Sequence, residues 1–322
     1  MNLIYITILS FIINLIISPL FIKYLRILKF GQSIRDCGPK SHLKKTNTPT
    51  MGGLIFLLSL FLSTIFFLRK NPENILILLT TLSFGLIGFL DDFIKITKKR
   101  SLGLRAYQKL LMQIIFSVIF IILSNLLLPE KNLRLIKIPF TNFFWNSKYF
   151  FVPIIIFILI GSSNAVNLTD GLDGLAAGIT VLLSIFFTYA ALKLNSPIYL
   201  MTSALTGSLL SFLLFNFYPA KVFMGDAGSL ALGAFLASAS IILNLEIFLA
   251  ISGIVFVTET LSVIIQVLFF KITHGKRIFK MTPLHHHFEL SGWRETKIVS
   301  FFYIFTAITC VLSIFILSKS FF

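Results

Sequence analysis

The sequence predicts an all-α, polytopic integral membrane protein with about ten transmembrane helices. Of its 322 residues, 57% are hydrophobic and only 12% are charged, and the mean hydropathy is +0.94. Apolar runs of roughly 17–25 residues, the length that crosses a bilayer as a helix, recur along the whole chain. These observations exclude an ordinary soluble globular protein. Residues 1–322 are expected to form a single transmembrane domain.

The positions of the basic residues predict the orientation of these spans. Residues 1–7 contain no Lys or Arg, whereas Lys23, Arg26 and Lys29 follow the first span. The first span is therefore not a signal peptide, and the N-terminus is expected outside the cell. Alternation then places 20 of the 28 Lys and Arg residues in internal loops. The ten expected spans centre on residues 3–22, 51–68, 75–90, 110–128, 150–168, 172–192, 198–217, 228–243, 247–270 and 298–317.

The formal net charge of +16 is thus expected on the cytoplasmic face of the membrane. Such a face can attract anionic lipid or phosphate-rich substrates. Nucleic-acid binding is the weaker interpretation, because no separate basic domain exists.

The segment at residues 164–178, NAVNLTDGLDGLAAG, is polar although apolar spans flank it. Its amides and carboxylates recur at every third position: Asn164, Asn167, Asp170 and Asp173. Adjacent members can share one side of a helical turn. A hairpin loop with Asp caps is the structural alternative. A charged group at bilayer depth costs about 2.5–3.5 kcal/mol or more, so we favour a functional site.

Aspartate is unevenly distributed along the chain. Five of the six Asp residues lie in segments expected on the cytoplasmic side: Asp91, Asp92, Asp170, Asp173 and Asp226. On a helix, the adjacent Asp91 and Asp92 point about 100° apart, so they are not expected to form one flat ligand pair. A solvated helix end is the alternative, but it does not explain why acids occupy an otherwise basic face.

Asp226 is followed by Ala-Gly-Ser, which can start the eighth helix with this aspartate as its N-cap. The functional alternative is a carboxylate at a helix start, where exposed amides and small residues suit a metal–diphosphate complex. Asn216 lies shortly before it, at the end of the preceding span.

The last internal loop contains three consecutive histidines, His285–His287. Adjacent imidazoles diverge in direction and cannot all ligate one zinc ion, and the HExxH spacing is absent. The tract is either a loop accident or a site whose ring N–H groups bind phosphate or a base edge. Glu259, in the middle of the ninth span, is expected to be buried and hydrogen-bonded to neighbouring helices, with a structural role.

Two basic segments precede spans. Lys44 and Lys45 come before the sequence TPTMGG, which is typical of a juxtamembrane loop with a helix-starting proline. Arg105 and Lys109 come before the fourth span, where a phosphate contact and a lipid-headgroup anchor are equally compatible with the sequence.

Five motifs together resemble one family. They are TPTMGG (48–53), LDDFIK (90–95), NAVNLTDGLDGLA (164–176), FNFYPAKVFMGDAGSLALG (215–233) and PLHHHFE (283–289). Their sequences and order resemble the phospho-N-acetylmuramoyl-pentapeptide-transferases, and the resemblance covers residues 30–320. The DD, NxxDGxDG and GD elements are shared with the wider superfamily of polyprenyl-phosphate N-acetylhexosamine-1-phosphate transferases. PLHHHFE narrows the resemblance to the muramoyl-pentapeptide branch.

The resemblance implies an activity and a location. UDP-MurNAc-pentapeptide and undecaprenyl phosphate would give lipid I and UMP, the first membrane step of peptidoglycan synthesis, with Mg²⁺ as cofactor. The enzyme would be a multi-pass protein of the bacterial inner membrane, with its active site at the cytoplasmic face. Residues 1–322 would form one transmembrane catalytic domain, and its all-helical architecture is compatible with a homodimer. Direct attack and a phospho-enzyme intermediate are both compatible with the sequence.

The resemblance also implies roles for residues. Asp226 would be the metal ligand, and Asp92 would orient or deprotonate the lipid phosphate, with Asp91 beside it. Phe223 would stack on uracil and Asn216 would hydrogen-bond to the nucleotide. The full set of substrate-binding side chains would be Lys45, Lys95, Asn167, Asp170, Asp173, Asn216, Phe223, His285, His286 and His287.

Three other activities compete with this interpretation. A polyprenyl-phosphate GlcNAc-1-phosphate transferase would share most of the motifs. An intramembrane aspartyl protease also uses membrane acids, but it needs two facing acids within the bilayer, whereas five gather here at helix ends. A transporter is the non-enzymatic alternative, in which Gly171 and Gly174 would interrupt a membrane helix. The motifs, however, show no inverted repeat.

Span parity predicts that all five motif loops face the cytoplasm. Single cysteines introduced at Ser101 and Asn195 should therefore react with a membrane-impermeant thiol reagent from opposite sides of the membrane. Labelling intact cells and inverted vesicles would measure this, and labelling of both positions from one side would contradict the predicted topology.

Overall fold

A computed structural model of the protein describes residues 3–27, 48–68, 71–98, 100 and 102–321. Within these ranges the chain is almost entirely helical, which confirms the predicted fold class. The helices are α1 (Leu3–Ile27), α2 (Gly53–Leu68), α3 (Pro72–Thr97), α4 (Ala106–Leu127), α5 (Phe151–Thr169), α6 (Leu175–Lys193), α7 (Tyr199–Asn216), α8 (Gly225–Ile242), α9 (Glu246–Ser252), α10 (Ile254–Ile272), α11 (Leu284–Leu290) and α12 (Glu295–Phe321). Two short strands are β1 (Leu135–Lys137) and β2 (Phe144–Asn146).

Nine helices in the described part of the chain are long and apolar enough to cross a membrane: α1, α3, α4, α5, α6, α7, α8, α10 and α12. The shorter apolar helix α2 lies where the second span was predicted. The chain is therefore a multi-pass membrane protein, and its apolar helices fall in the ten predicted segments.

The prediction of one continuous ninth span is wrong. Helix α9 ends at Ser252 and α10 begins at Ile254, with a break at Gly253. The backbone N–H of Gly253 still bonds to the carbonyl of Leu249 at 2.8 Å, but its ψ of 25° departs from helical geometry. Glycine lowers helix propensity by about 1 kcal/mol relative to alanine, so the break falls at the weakest position of the run.

Helix α8 is the central helix of the molecule. Every residue from 227 to 242 is buried, and α8 packs against α3 on one side and α5 on another. Its sequence, GDAGSLALGAFLASASII, consists largely of Gly, Ala and Ser. In a membrane, apolar side chains are not driven together by the hydrophobic effect, because lipid is as apolar as they are. Helices associate there through close packing, which small residues allow. The helix that carries Asp226 is thus fixed by packing on all sides.

The crossing of α3 over α8 brings backbone against backbone. A Cβ atom added to Gly88 of α3 would collide with the carbonyl group of Asp226. At the neighbouring crossing of α2 and α8, a Cβ on Gly53 would collide with the backbone of Gly228. These glycines are required by close approach, and they set the distance between the end of α3 and the start of α8.

The opposite end of the bundle has its own polar contacts. Glu73, at the start of α3, accepts hydrogen bonds from Lys131 Nζ at 2.6 Å and Ser196 Oγ at 2.6 Å. Strands β1 and β2 pair in antiparallel fashion, with Ile136 opposite Trp145. The segment between α4 and α5 therefore contains a β-hairpin, which was not predicted from the sequence.

Candidate active site

Three carboxylates converge where the end of α3 meets the start of α8. Asp91, Asp92 and Asp226 each offer an oxygen, and these atoms all lie within 4.8 Å of one another. In the part of the chain that the structure describes, this is the one group of three or more side chains that could hold a metal ion. Although adjacent helix positions diverge in direction, an oxygen of Asp91 and an oxygen of Asp92 both lie within this distance of an Asp226 oxygen and of each other.

Two lysines neutralise part of this negative charge. Lys95 Nζ lies 2.6 Å from Asp91 Oδ2, 3.3 Å from Asp92 Oδ1 and 3.1 Å from Asp226 Oδ2. Lys109 Nζ, from the first turn of α4, lies 2.9 Å from Asp226 Oδ2. Two ammonium groups against three carboxylates leave an excess of negative charge. The cluster therefore favours a further cation, and its lysines can also contact an anionic group.

Asn167 joins the cluster from the last turn of α5. Its Nδ2 donates to Asp226 Oδ1 at 2.9 Å and to Ser229 Oγ at 2.8 Å. Ser229 lies three residues after Asp226, so the two share one face of α8. The four elements α3, α4, α5 and α8 thus supply one acid cluster, which we call the carboxylate site: Asp91, Asp92, Lys95, Lys109, Asn167, Asp226 and Ser229.

Backbone groups orient the acids of α3. Asp92 Oδ2 accepts the N–H of Ala227 at 3.2 Å, and Asp91 Oδ1 accepts the N–H of Leu104 at 2.8 Å. Gly225 has a φ of +76°, and a Cβ there would lie 2.6 Å from Asp92 Oδ2. Glycine is therefore required for both the left-handed backbone and the space beside the carboxylate.

Asp226 is not the N-cap of α8, so the structural alternative for this residue does not hold. The helix begins at Gly225, its N-cap is Met224, and no side chain caps it. Asp226 lies within the first turn, and its oxygens face Lys95, Lys109 and Asn167. Because the helix begins at Gly225, before the aspartate, the Asp226 carboxylate makes no cap and instead contacts the other side chains of the cluster.

The sequence TPTMGG docks on the segment that leads into α8. Phe223 N–H donates to the carbonyl of Pro49, and Gly52 N–H donates to the carbonyl of Phe223, both at 2.8 Å. The half-buried Phe223 ring thus sits on a backbone fixed by this pairing, close in sequence to the acid cluster. Lys45, also predicted to bind substrate, lies outside the described residues.

Asp173 and Asn216 are bonded into the framework beside the cluster. Asp173 Oδ2 accepts the N–H of Ala220 at 3.0 Å. Asn216 accepts the N–H of Gly174 at 3.1 Å and donates to the carbonyl of Val222 at 2.9 Å. Both side chains are at most 4% exposed. They connect the DGLDG loop to the segment before α8.

Asp170 differs from these two residues. It lies just after α5, is half-buried, and no hydrogen bond of its side chain is present among the described residues. Burial, together with the negative charges of Asp226, Asp92 and Asp173, raises the pKa of Asp170 to about 8. A cationic group brought close to Asp170 would therefore favour the ionised carboxylate.

The three histidines lie in the short helix α11, so the expectation of a loop is wrong. Pro283 precedes the helix and holds the φ of −63° that suits a helix start. His285 Nδ1 lies 3.2 Å from Glu259 Oε2, and His286 Nδ1 lies 2.8 Å from Glu289 Oε2. His287 Nδ1 accepts the N–H of Lys280 at 3.2 Å. The three rings have separate partners, and the prediction that Glu259 is buried and hydrogen-bonded is confirmed.

The sequence-based assignment left Lys109 and Ser229 out of the site. Lys109 was compatible with a headgroup anchor, and nothing local connects it to Asp226, which lies 117 residues away. Ser229 could have been identified from its helical spacing to Asp226. Asn164 was noted for its register, but its amide donates to Gln113 Oε1 at 3.1 Å and joins α5 to α4 outside the cluster.

Comparisons with known proteins agree with this arrangement. Residues 74–244 match the model of glycosyl transferase family 4, and residues 45–57 match phospho-N-acetylmuramoyl-pentapeptide-transferase signature 1. A phospho-N-acetylmuramoyl-pentapeptide-transferase from Staphylococcus carnosus (strain TM300) is 51% identical over 314 residues, which is 96% of this chain and 97% of that protein. The chain belongs to the phospho-N-acetylmuramoyl-pentapeptide-transferase family.

Other transferases of this family align over similar lengths. One from Thermoanaerobacter sp. (strain X514) is 48% identical over 97% of this chain and 98% of that protein. One from Halalkalibacterium halodurans is 50% identical over 96% of this chain and 95% of that protein. The chain is therefore a transferase by family, and the glycosyl transferase match includes the three acids of the carboxylate site.

Proposed function

We propose that this chain transfers phospho-MurNAc-pentapeptide from its UDP donor to undecaprenyl phosphate, giving lipid I and UMP. The observation that carries the proposal is the carboxylate site, in which Asp226 meets Asp91, Asp92 and two lysines in a chain of this family. The reaction would be the first membrane step of peptidoglycan synthesis. It would take place at the cytoplasmic face of the bacterial inner membrane, within one catalytic domain spanning residues 1–322.

The chemistry is a phosphoryl transfer. An oxygen of the lipid phosphate forms a bond to the sugar-linked phosphorus of the donor, and the bond from that phosphorus to the bridging oxygen breaks as UMP leaves. Little covalent work falls to the protein in such a reaction, so alignment and charge neutralisation dominate. Lys95 and Lys109 supply two positive charges within 3.1 Å of Asp226 Oδ2, and in this proposal they contact the reacting phosphates.

The carboxylate site also suits a magnesium ion. Mg²⁺ prefers hard oxygen ligands and commonly takes one or two carboxylates together with substrate phosphates. Asp226 would be the ligand, with Asp91 and Asp92 near enough to share it, since their oxygens lie within 4.8 Å of one another. When bound, the ion would supply positive charge for the phosphate oxygens.

The remaining residues have roles that follow from their contacts. Asp92 is 3% exposed and held by the N–H of Ala227, which suits a carboxylate that orients or deprotonates the lipid phosphate. Asn167 keeps Asp226 in place. Asp170 and Phe223 would face the uridine nucleotide of the donor, and Asp173 and Asn216 would shape the same pocket.

A donor comparison tests the proposal. Purified protein is mixed with a polyprenyl phosphate, Mg²⁺ and either UDP-MurNAc-pentapeptide or UDP-GlcNAc, and both UMP and the lipid product are measured. We expect product from the muramoyl-pentapeptide donor and little from UDP-GlcNAc. Preference for UDP-GlcNAc would instead identify a GlcNAc-1-phosphate transferase. Absence of UMP with both donors would favour a transporter, and peptide cleavage would favour a protease.

The His tract gives a further prediction. Because the imidazoles of α11 can donate to diphosphate oxygens or a uracil carbonyl, His286→Ala should lower turnover or weaken donor binding by about tenfold, the effect of losing one or two hydrogen bonds. The apparent affinity for the lipid phosphate should change less. Steady-state kinetics with each substrate varied in turn measures both. Unchanged donor kinetics in the single alanine variants of all three histidines would contradict it.

A further inference from the structure

The buried carboxylate of Glu259 makes two hydrogen bonds to a single residue of the His tract. Its Oε1 accepts the backbone N–H of His285 at 3.2 Å, and its Oε2 lies 3.2 Å from His285 Nδ1. Glu259 has no exposed surface, and His285 is 1% exposed. A carboxylate oxygen is a hydrogen-bond acceptor, and the ring donor that matches it is Nδ1–H, so we assign the proton of His285 to Nδ1. Both the backbone and the ring of His285 are therefore held by one side chain.

The other ring nitrogen of His285 faces the DGLDG loop. A Cβ added to Gly171 would collide with His285 Nε2, so glycine follows Asp170 because the ring needs the space. Nε2 is buried and has no hydrogen-bond partner among the described residues. A buried polar atom without a partner costs about 1–3 kcal/mol, and such an atom in a native structure calls for an explanation.

The need to anchor α11 to α10 does not explain why residue 259 is an acid. Gln266 lies seven residues after Glu259, on the same face of α10, and already holds the loop before α11. Its Nε2 donates to the carbonyl of Phe279 at 2.9 Å, and its Oε1 accepts the N–H groups of Ile278 and Phe279 at 3.0 Å. An uncharged amide is thus sufficient for that purpose. A buried acid at Glu259 is more expensive to desolvate, so its directed contact with the His285 ring requires a separate reason.

We propose that Glu259 is a positioning residue for the transferase reaction and acts through His285. It fixes the imidazole so that its Nε2 edge packs against Gly171. This packing keeps the Asp170–Gly171 segment in the position that binds the nucleotide end of the UDP donor. This inference rests on the proposed function, and it assigns to Glu259 a role that the sequence did not indicate. It predicts an effect on the donor and not on the lipid phosphate.

The test compares Glu259→Gln with Gln266→Leu. Glutamine keeps the size of the side chain, but only one of its two polar atoms accepts, so one of the two His285 donors loses its partner. We expect Glu259→Gln to raise the KM for UDP-MurNAc-pentapeptide and the Kd for UMP about tenfold. The KM for the lipid phosphate should remain close to wild type, whereas the unfolding temperature should fall, because one buried donor of His285 loses its partner. Gln266→Leu, which removes only an anchoring contact, should lower the unfolding temperature without a selective effect on the donor.

The contact between His285 and the loop is tested separately. Gly171→Ala alone should also raise the donor KM, because its methyl group displaces the ring. In a His285→Ala background, where the ring is absent, neither Gly171→Ala nor Glu259→Gln should raise it further. The comparison of Gly171→Ala in the two backgrounds tests the contact of His285 with the loop even if Glu259→Gln cannot be purified in folded form.

Two results would overturn the positioning role. The first is that the wild-type protein is active and Glu259→Gln has the same KM for the UDP donor as the wild type. The other is additivity of Glu259→Gln or Gly171→Ala with His285→Ala. Failure of the proposed function gives a different result, because the wild-type protein itself would then form no lipid product from the UDP donor, and both proposals would be rejected.

Discussion

Replacing Asp226 by Asn is expected to reduce turnover by about 10²–10³-fold, comparable to the loss of a preorganised electrostatic contact in other active sites. Asparagine preserves the shape of the side chain but removes its charge. Asp226 Oδ2 would no longer attract Lys95 and Lys109, which lie 3.1 and 2.9 Å away, and the site would lose its proposed metal ligand. Lipid-product formation by the purified variant, measured over a series of Mg²⁺ concentrations, tests this.

Glu73→Gln is the matched control for Asp226→Asn. Glu73 is also an acid at a helix start with a lysine partner, Lys131, at 2.6 Å, but it lies at the opposite end of the bundle. Its substitution should leave turnover near wild type. Removal of Mg²⁺ with EDTA should stop the wild-type reaction, and added Mg²⁺ should restore it. Near-normal, Mg²⁺-dependent turnover in Asp226→Asn would move the metal to another acid of the carboxylate site.

Replacing Lys109 by Met is expected to reduce turnover by roughly 10²-fold, since one of the two positive charges proposed to contact the reacting phosphates is lost. Methionine keeps much of the aliphatic stem while removing the ammonium group. Lys109→Arg should retain part of the activity, because it preserves the charge with a different hydrogen-bond geometry. Initial rates at saturating donor and acceptor measure both variants.

Lys148→Met provides the comparison for Lys109, because Lys148 is an exposed lysine just after β2, in the segment between α4 and α5. It should leave the initial rate unchanged. Unfolding temperatures of all variants must be compared, since Lys109 is also the partner of a largely buried carboxylate. If Lys109→Met turned over substrate at the wild-type rate, Lys109 would be a lipid-headgroup anchor and not a residue of the active site.

The membrane spans could be predicted from sequence because span length is a local property. An apolar run of sufficient length forms a helix in lipid, whichever helices surround it. The break at Gly253 was not predicted, because α9 and α10 are both apolar and together resemble one long span. What interrupts them is a single residue of low helix propensity, and its effect depends on the packing around it.

The carboxylate site was predictable only in part. Asp91, Asp92 and Asp226 could be grouped by their motifs and by the shared side of the membrane, but the distances among them depend on the crossing of α3 over α8. That crossing is fixed by backbone contact at Gly88 and Asp226, which no spacing in the sequence indicates. Lys109 enters the site through the same three-dimensional arrangement, so its role could not be separated from that of a headgroup anchor.

The structural roles of Asp173 and Asn216 could not be predicted from the sequence either. Asp173 and Asn216 are polar residues in the expected motifs, yet their side chains bond to backbone groups of neighbouring segments. Sequence identifies which residue types could bind a ligand, whereas burial and partners decide which of them face it. The same reasoning applies to Glu259, whose contact with His285 joins residues 26 positions apart.

The ion pairs within α3 have a consequence for how the protein is made. Lys95 lies 131 residues before Asp226, which corresponds to roughly 7–26 s of translation at about 5–20 residues per second. During that interval α3 has left the ribosome while α8 does not yet exist. Lys95, one turn along the same helix at 2.6 Å from Asp91 Oδ2, supplies the acids with a counter-charge of their own. The nascent helix can thus enter the membrane with part of its charge already neutralised, before α8 and its Asp226 are synthesised.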